Sequence, residues 1–551
     1  ANSYTHTNTT TNTTTTTTTT SAVVAKLPPQ VGFLTQAREW HARADPLLKP
    51  RVKARFALPK HFDADPLPVV TGGPLLAGFH PVVPDNGYYN FLAAFRKRCN
   101  YFSAERATPQ IIARSLELIT LLAPEQLPSF EWTDSRFESW VAKFGMEKQN
   151  RMRAAVEQFP TSSIKDYSRK EIFVKTEALL VQHKPNWAPR VIYKGTDVYN
   201  ALSGPIFSEL MTRLDACFER MQGPYRFKAA YRKTPEVYTP FVSTVSGEFI
   251  ECDFSANDMK QCSDVMLLEI MLMRRLGCPE WFIRLHSKTN HFVVASKKHG
   301  VKAELDNQLP TGATDTTFRN TFWNACILFA FLNAQRATRC NALLLGDDML
   351  ARIEGLGRYA AKTYQRIASE ARMDAKVKRF RALVSCSFLS KLFIPRPQQA
   401  VSHLTVPLLG KALARFNMRA NLNAAVSDPA YFMGKALGYA YEFRFVPCLR
   451  DIFLERFNIQ LERFKDDRKM LKHAGLEVSW NAREAGITLA NIKDKLIVQD
   501  VVSDDDFNVF ILHRYGVFGY QVVALFEQVV LGIGDDAEGC LVELLAADFV
   551  A

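Results

Sequence analysis

The sequence predicts an α+β fold, and three observations carry that expectation. Leu343-Leu344-Leu345 run straight into Gly346-Asp347-Asp348, and Met349-Leu350 follow. That is the pattern of a buried strand, a tight turn allowed by glycine, and a second strand. Gly247 to Cys252 reads as another short buried strand, ending at Asp253, and 170–195 reads as two strands around a Lys184-Pro185-Asn186 loop. Much of the remaining chain shows helical spacing of its apolar residues.

In order along the chain, residues 1–22 are dominated by Thr with a few Asn and have almost nothing to bury, so disorder is expected. Asn8-Thr9-Thr10 and Asn12-Thr13-Thr14 are formal glycosylation sequons with no secretory signal before them. Residues 23–60 form a basic, Pro-containing arm with Lys49, Arg51, Lys53 and Arg55 in alternation. The arm fits a solvated tether as well as it fits a strap laid on RNA or on another part of the fold. Helix is expected from Tyr88 to Leu122, including Arg96-Lys97-Arg98, then around 134–158, and from Asn200 to Met221. Ser263 to Leu276 is a long amphipathic helix, and Phe292-Val293-Val294-Ala295, Lys297-Lys298-His299-Gly300 and Val301 suggest a hairpin. A helix over 358–373 precedes a strand at 382–386. Beyond 400 the chain reads as mostly helical, with long apolar faces over Phe432 to Phe457 and Val509 to Leu531. No internal repeat is evident.

The 551 residues suffice for one large enzyme of several subdomains or about three ordinary domains, and 47% hydrophobic content implies a sizeable core. A net charge of +13 and a pI near 9.2 favour a polyanionic partner, either nucleic acid or an acidic membrane surface. The ten cysteines include no C-x2-C pair and no His/Cys cluster at zinc spacing, which fits buried thiols in a reducing compartment. No charge-free apolar stretch reaches the length of a membrane span, and the longest apolar run, Phe322 to Leu332, is better read as a core helix. Beginning on Ala1, the sequence is expected to be a processed product or an expressed piece.

Two adjacent carboxylates at a hairpin tip make a divalent-cation site, because hard cations take oxygen ligands and neighbouring anions repel without one. A second Gly-Asp-Asp, Gly534-Asp535-Asp536, lacks acidic partners upstream and reads as a polar turn between helices. The first has such context. Asp253-Phe254-Ser255-Ala256-Asn257-Asp258 gives D-x4-D, and Gly312 to Asn320 gives G-x3-T-x3-N, in which Thr316 and Asn320 share a helix face that Asn324 extends. Glu251, two residues before Asp253, reads as a charge at the strand edge. Asp258 reads either as a helix N-cap or as a site residue.

This ordered set resembles the palm of viral RNA-dependent RNA polymerases, as motifs A, B and C. Lys175-Thr176-Glu177, Lys184-Pro185 and Pro189-Arg190-Val191-Ile192, followed by Tyr199-Asn200, resemble motif F of tombusvirus-like enzymes. Met373-Asp374-Ala375-Lys376 is similar to motif D and Ser385-Cys386-Ser387-Phe388-Leu389-Ser390 to motif E. Thr311 departs from the Ser that commonly precedes the motif B glycine, and motif A looks closer to alphavirus- or hepevirus-type enzymes.

The resemblance implies a right-hand polymerase fold: a Thr-rich tail (1–22), a basic arm (23–60), fingers (61–244, with 277–308 inserted), an antiparallel-sheet palm (245–400) and a helical thumb (401–551). It implies RNA synthesis from NTPs on an RNA template by two-metal chemistry, with Mg²⁺ or Mn²⁺ held by Asp253, Asp347 and Asp348. Lys376 would be the general acid for pyrophosphate, with Lys378 two residues on as the other candidate. Lys175, Lys184 and Arg190 would neutralise the triphosphate. Asp258, with Asn320, would read the ribose 2′-hydroxyl; Thr316 would stand on the same helix face, and Gly312 would present free backbone N–H groups. Lys391 and thumb arginines would contact phosphates in a salt-sensitive way. Template, product RNA and NTPs are the expected partners, with other replicase proteins and host membranes behind them, in the host cytoplasm. Two rivals remain: a reverse transcriptase, and a non-catalytic polymerase-derived RNA-binding subunit, against which the intact acids argue.

Overall fold

A computed structural model describes residues 69–73, 84, 86–99, 106–177, 188–255, 257–396, 402–420, 426–476, 486, 488, 490–533, 545 and 548. The Thr-rich tail, the basic arm, Lys184 and Gly534-Asp535-Asp536 lie outside the described residues.

The architecture is mixed α and β. In chain order the strands are β1 (Val69–Thr71), β2 (Arg169–Val174), β3 (Val191–Gly195), β4 (Tyr225–Ala229) and β5 (Glu248–Phe254). Then come β6 (His291–Ser296), β7 (Val301–Asp306), β8 (Arg339–Leu345), β9 (Asp348–Glu354) and β10 (Ala375–Phe380). The last are β11 (Ser387–Phe388), β12 (Lys391–Pro395), β13 (His403–Pro407) and β14 (Met418–Ala420).

The sheet that matters most has five strands in the order β10-β5-β9-β8-β4. Alternation along its strands sorts side chains onto two faces. Ile250, Cys252 and Phe254 of β5, with Met349, Ala351 and Ile353 of β9, enter one large core. Phe249 and Leu350 enter a smaller core on the opposite face. Glu251 and Asp253 share that second face with Phe249, and Asp348 shares it with Leu350, by the same period of two. Against the first face lies the helix Thr316–Gln335, in which every residue from Phe318 to Leu332 is buried. A helix apolar on nearly all sides is a core helix, and the long run Phe322 to Leu332 is its middle.

A second sheet, β3-β2-β6-β7, joins segments far apart in sequence: β2 pairs antiparallel with β3 and parallel with β6. The helix Tyr88–Arg98 packs on it through Phe91, Leu92 and Phe95. The C-terminal part is a helical cluster that includes Leu409–Phe416, Asp428–Glu442, Pro447–Arg463, Asp504–Tyr515 and Gly519–Leu531. Ser503 caps Asp504–Tyr515 by accepting from the Asp506 amide, three aspartates fill its first turn, and Gly516 closes it with a positive φ of 69°. Among the described residues no single helix is long and apolar enough to cross a membrane.

Two expectations need correction, and one strand has no apolar signal in the sequence. The strand expected at 382–386 is instead a short 3-10 turn, Leu383–Ser385, flanked by β10 and β11. Leu383 is buried in the small second-face core and Val384 in the C-terminal core, so the chain must turn between them. β10 escaped notice because Lys376, Lys378 and Arg379 break the apolar pattern, which a sheet-edge strand tolerates. Beyond 400 the chain is not purely helical: β13 completes a three-stranded sheet with β11 and β12, and β14 pairs with β1.

Candidate active site

The acids at 253 and 347–348 come together because β5 lies between β9 and β10. Cys252 pairs with Met349, so the next residues, Asp253 and Asp348, stand side by side at the strand ends. Asp253 pairs across the other ladder with Lys376, whose Nζ lies 3.7 Å from the Asp253 carboxylate. Leu345 pairs with Asp348, so Gly346 and Asp347 form a two-residue turn, and Gly346 takes a φ of 61°. No side chain crowds that turn from outside; the positive φ is what calls for glycine.

The long helix Thr316–Gln335 holds the turn from beneath. Thr321 Oγ1 accepts from the Gly346 amide at 2.8 Å and donates to the Thr317 carbonyl at 2.6 Å. Asn324 Nδ2 donates to the Gly346 and Asp347 carbonyls at 3.3 and 3.1 Å. Asn324 was expected on this helix face. Thr321 was missed, and its only signal is a hydroxyl inside an otherwise apolar run.

Electrostatics mark the tip as strained. Crowding by protein atoms raises the Asp347 pKa, and Asp258 and Asp253 add to the rise. Asp348 is pushed up to about 6, first by desolvation and then by Asp347 and Asp253. Both carboxylates are nonetheless exposed at the tip, although protein hems them in on most sides, so water screens part of this repulsion. A cluster of carboxylates that raise one another's pKa is a donor set suited to divalent cations.

Among the described residues, the one group of three whose ligand atoms all lie within 4.8 Å of one another is elsewhere: Glu269, His286 and Asp315. Most of its donors and acceptors already have protein partners, with Glu269 Oε1 left over. Arg319 Nε donates to Glu269 at 3.0 Å, and its Nη2 lies 3.0 Å from Asp315. His286 Nδ1 meets the Tyr199 hydroxyl at 2.9 Å. This buried network ties the loop before the long helix to three other segments.

Beside the aspartates lies a pocket of ≈ 330 Å³ lined by Arg98, Lys175, Arg190, Asp258, Thr311, Thr316, Asn320 and Asp347, among others. Asp258 sits within the short helix Asn257–Lys260 and does not cap the helix Ser263–Arg275, whose N-cap is Cys262. Its oxygens instead accept from Thr311 Oγ1 and, at 2.9 Å, from Asn320 Nδ2. Gln261 Nε2 in turn donates to Asn320 Oδ1 at 2.7 Å. Burial raises the Asp258 pKa, and these two hydrogen bonds oppose the rise. Gly312 precedes the helix rather than starting it. It adopts a φ of 97°, and a Cβ there would come within 3.3 Å of the Tyr193 carbonyl. Thr316 Oγ1 makes only a long 3.4 Å contact with the Pro310 carbonyl. Lys175 and Arg190 face each other across the β2–β3 end, and both hold Glu177: Lys175 at 3.3 Å and Arg190 through a forked pair.

Residues 85–411, more than half of the chain, match the family described as RNA dependent RNA polymerase. The chain belongs to that family. Over 166 residues it is 29% identical to the replicase large subunit of Tobamovirus Ob and 30% identical to that of Odontoglossum ringspot virus (isolate Korean Cy). The same length is 28% identical to the replicase large subunit of pepper mild mottle virus (strain Spain). Each match covers 29% of this chain and 10% of the relative's length.

In this polymerase-family chain a second pocket, of ≈ 560 Å³, opens on the other side of the acids. Asp253, Asp348, Lys376, Lys378, Ser390, Lys411 and Arg415 are among its lining residues. Glu251 is not an edge charge: β5 is flanked on both sides, and the Glu251 carboxylate accepts the backbone amide of Ser387. Burial raises its pKa, and that amide opposes the rise. The turn of this region is Leu389-Ser390, both with positive φ, joining β11 to β12. Lys391 is not free for phosphate; it is mostly buried in an ion pair with Glu442. Lys411 takes its place at the pocket, donating to Ser390 Oγ at 2.8 Å. Cys252 and Cys262 are buried thiols, and burial pushes Cys252 up to about 12.

Proposed function

We propose that this chain synthesises RNA from NTPs on an RNA template, copying a positive-strand viral genome and its complement. The observation that carries this reading is the meeting of Asp253 with Asp347 and Asp348 beside a pocket that holds the Asp258–Asn320 pair. Asp253, Asp347 and Asp348 would hold Mg²⁺ or Mn²⁺. A bound cation pair would lower the pKa of the attacking 3′-hydroxyl and stabilise the pyrophosphate leaving group.

The chain's own residues then have distinct tasks. Lys175 and Arg190 neutralise the triphosphate, Arg190 with a planar fork suited to phosphate oxygens. Asp258, oriented by Thr311 and Asn320, accepts from the ribose 2′-hydroxyl; a deoxynucleotide leaves that buried acceptor short of a donor. Lys376 donates a proton to the departing pyrophosphate as the bond from the α-phosphorus to its bridging oxygen breaks. Its ammonium sits 3.7 Å from Asp253, at the reacting end of the site. The second pocket, with Lys411 and Arg415, takes the growing strand.

The wider arrangement we propose is a right hand: fingers from 61–244 with 277–308, palm from 245–400 and thumb from 401–551. It would work in the host cytoplasm with other replicase proteins at membranes. The test is primer extension on a defined RNA template over Mg²⁺ and Mn²⁺, wild type against Asp347→Ala. Synthesis that survives the substitution defeats the assigned site. Incorporation of dNTPs with NTPs refused would instead make the chain a reverse transcriptase.

A further inference from the structure

We propose that Arg98, outside every motif recognised in the sequence, binds the polyphosphate of the incoming nucleotide. This rests on the polymerase reading and extends it to a residue that the spacing of motifs did not single out. Arg98 is the last residue of the helix Tyr88–Arg98. Its neighbours Arg96 and Lys97 face solvent, while Arg98 turns inward and is half-buried. It lines the ≈ 330 Å³ pocket together with Lys175, Arg190, Asp258 and Asp347.

The three cations of that pocket differ in what they already hold. Lys175 and Arg190 share Glu177. Arg98 makes no ion pair among the described residues, and its Nε is buried without a hydrogen-bond partner. Asp258 is near enough to favour its charge, but among the described residues no hydrogen bond or ion pair joins the two. Arg190 is close enough to repel it, and burial and Arg190 together hold the guanidinium below its usual pKa. Arginine stays charged under such pressure, so the cost remains until an anion arrives. A polyphosphate entering between Arg98 and Arg190 relieves both the repulsion and the unmet Nε–H. The same pocket carries the sugar-facing pair and Asp347, which favours the nucleotide's phosphates over those of the template strand.

The experiment compares the full chain with Arg98→Met and Arg98→Lys in steady-state extension, inorganic tripolyphosphate inhibition and RNA binding at fixed salt. Loss of a charge-assisted phosphate contact should raise KM for all four NTPs by about 10- to 100-fold in Arg98→Met. The inhibition constant of tripolyphosphate should rise by a similar factor, with kcat and template affinity little changed. Arg98→Lys should lie between, because a point charge cannot fork. An unmoved KM and tripolyphosphate constant, or a loss confined to RNA affinity, would overturn the assignment. Should Arg98→Met fail to fold, Arg98→Lys decides: wild-type KM and tripolyphosphate inhibition in that variant refute the forked contact. A wild-type chain that binds tripolyphosphate through Arg98 yet makes no RNA would sink the polymerase reading and leave the phosphate site standing.

Discussion

The repulsion at the hairpin tip can be measured directly by replacing Asp348 with Asn. The Asp348 pKa rises from 3.8 to about 6 on folding. At 1.36 kcal/mol per pH unit, a shift of that size corresponds to ~3 kcal/mol against the folded, charged state. Asp348 is open to solvent at the tip, so screening reduces the expected penalty to about 1 kcal/mol. The sign follows from the direction of the shift. With the folded pKa above the unfolded one, the favourable contribution is complete below about pH 4 and is lost as pH rises through about 6. In EDTA, Asp348→Asn should therefore match wild type at pH 4 and exceed it above pH 6. In a thermal melt that gain is a Tm increase on the order of 1–2 °C for a chain of this size. Adding Mn²⁺ at pH 7.5 should reverse the ranking, because only the wild type keeps the full carboxylate set. A variant no more stable than wild type in EDTA at pH 7.5, or an equal gain from Mn²⁺ in both proteins, would refute the argument.

Other substitutions probe the supports of the site. Thr321→Val keeps the shape but removes the acceptor of the Gly346 amide; we expect a stability loss of ~1 kcal/mol by denaturant titration and a fall in kcat as the turn loosens. Gln261→Met removes the donor that orients Asn320, so the ratio of kcat/KM for NTP to that for dNTP should fall by about 5- to 10-fold. In an Asn320→Ala background the same change should do nothing further to that ratio, and an additive effect would count against the relay. Glu269→Gln removes one of the two carboxylates that pair with buried Arg319, leaving Asp315, and should cost about 3 kcal/mol, seen as a lowered Tm.

What the sequence revealed tracks how local each signal is. Asp253, Asp258, Asn320, Asp347 and Asp348 were legible because each sits in a short stretch with characteristic spacing. The β8–β9 hairpin was legible because an apolar run meets a glycine and continues. Gln261 and Thr321 were not, since each acts on a partner from a distant segment and has no spacing of its own, and Arg98 reaches its pocket only when segments far apart in sequence meet there. Lys391 was misjudged for the same reason: its partner Glu442 lies 51 residues away. Glu251 looked like an edge charge only while β10 was hidden by its lysines. The Glu269–His286–Asp315–Arg319 network draws on three helices and a loop, and no pattern within any one of them announces it.

The helix Thr316–Gln335 has a double duty with a cost. Its residues from Phe318 to Leu332 are all interior, and two of its side chains grip the Gly346-Asp347 turn. A methyl group lost or added anywhere along that rod shifts the reactive acids as well as the packing. Heat-sensitive variants of this protein should therefore accumulate over 321–332, a stretch that lines neither pocket beside the acids.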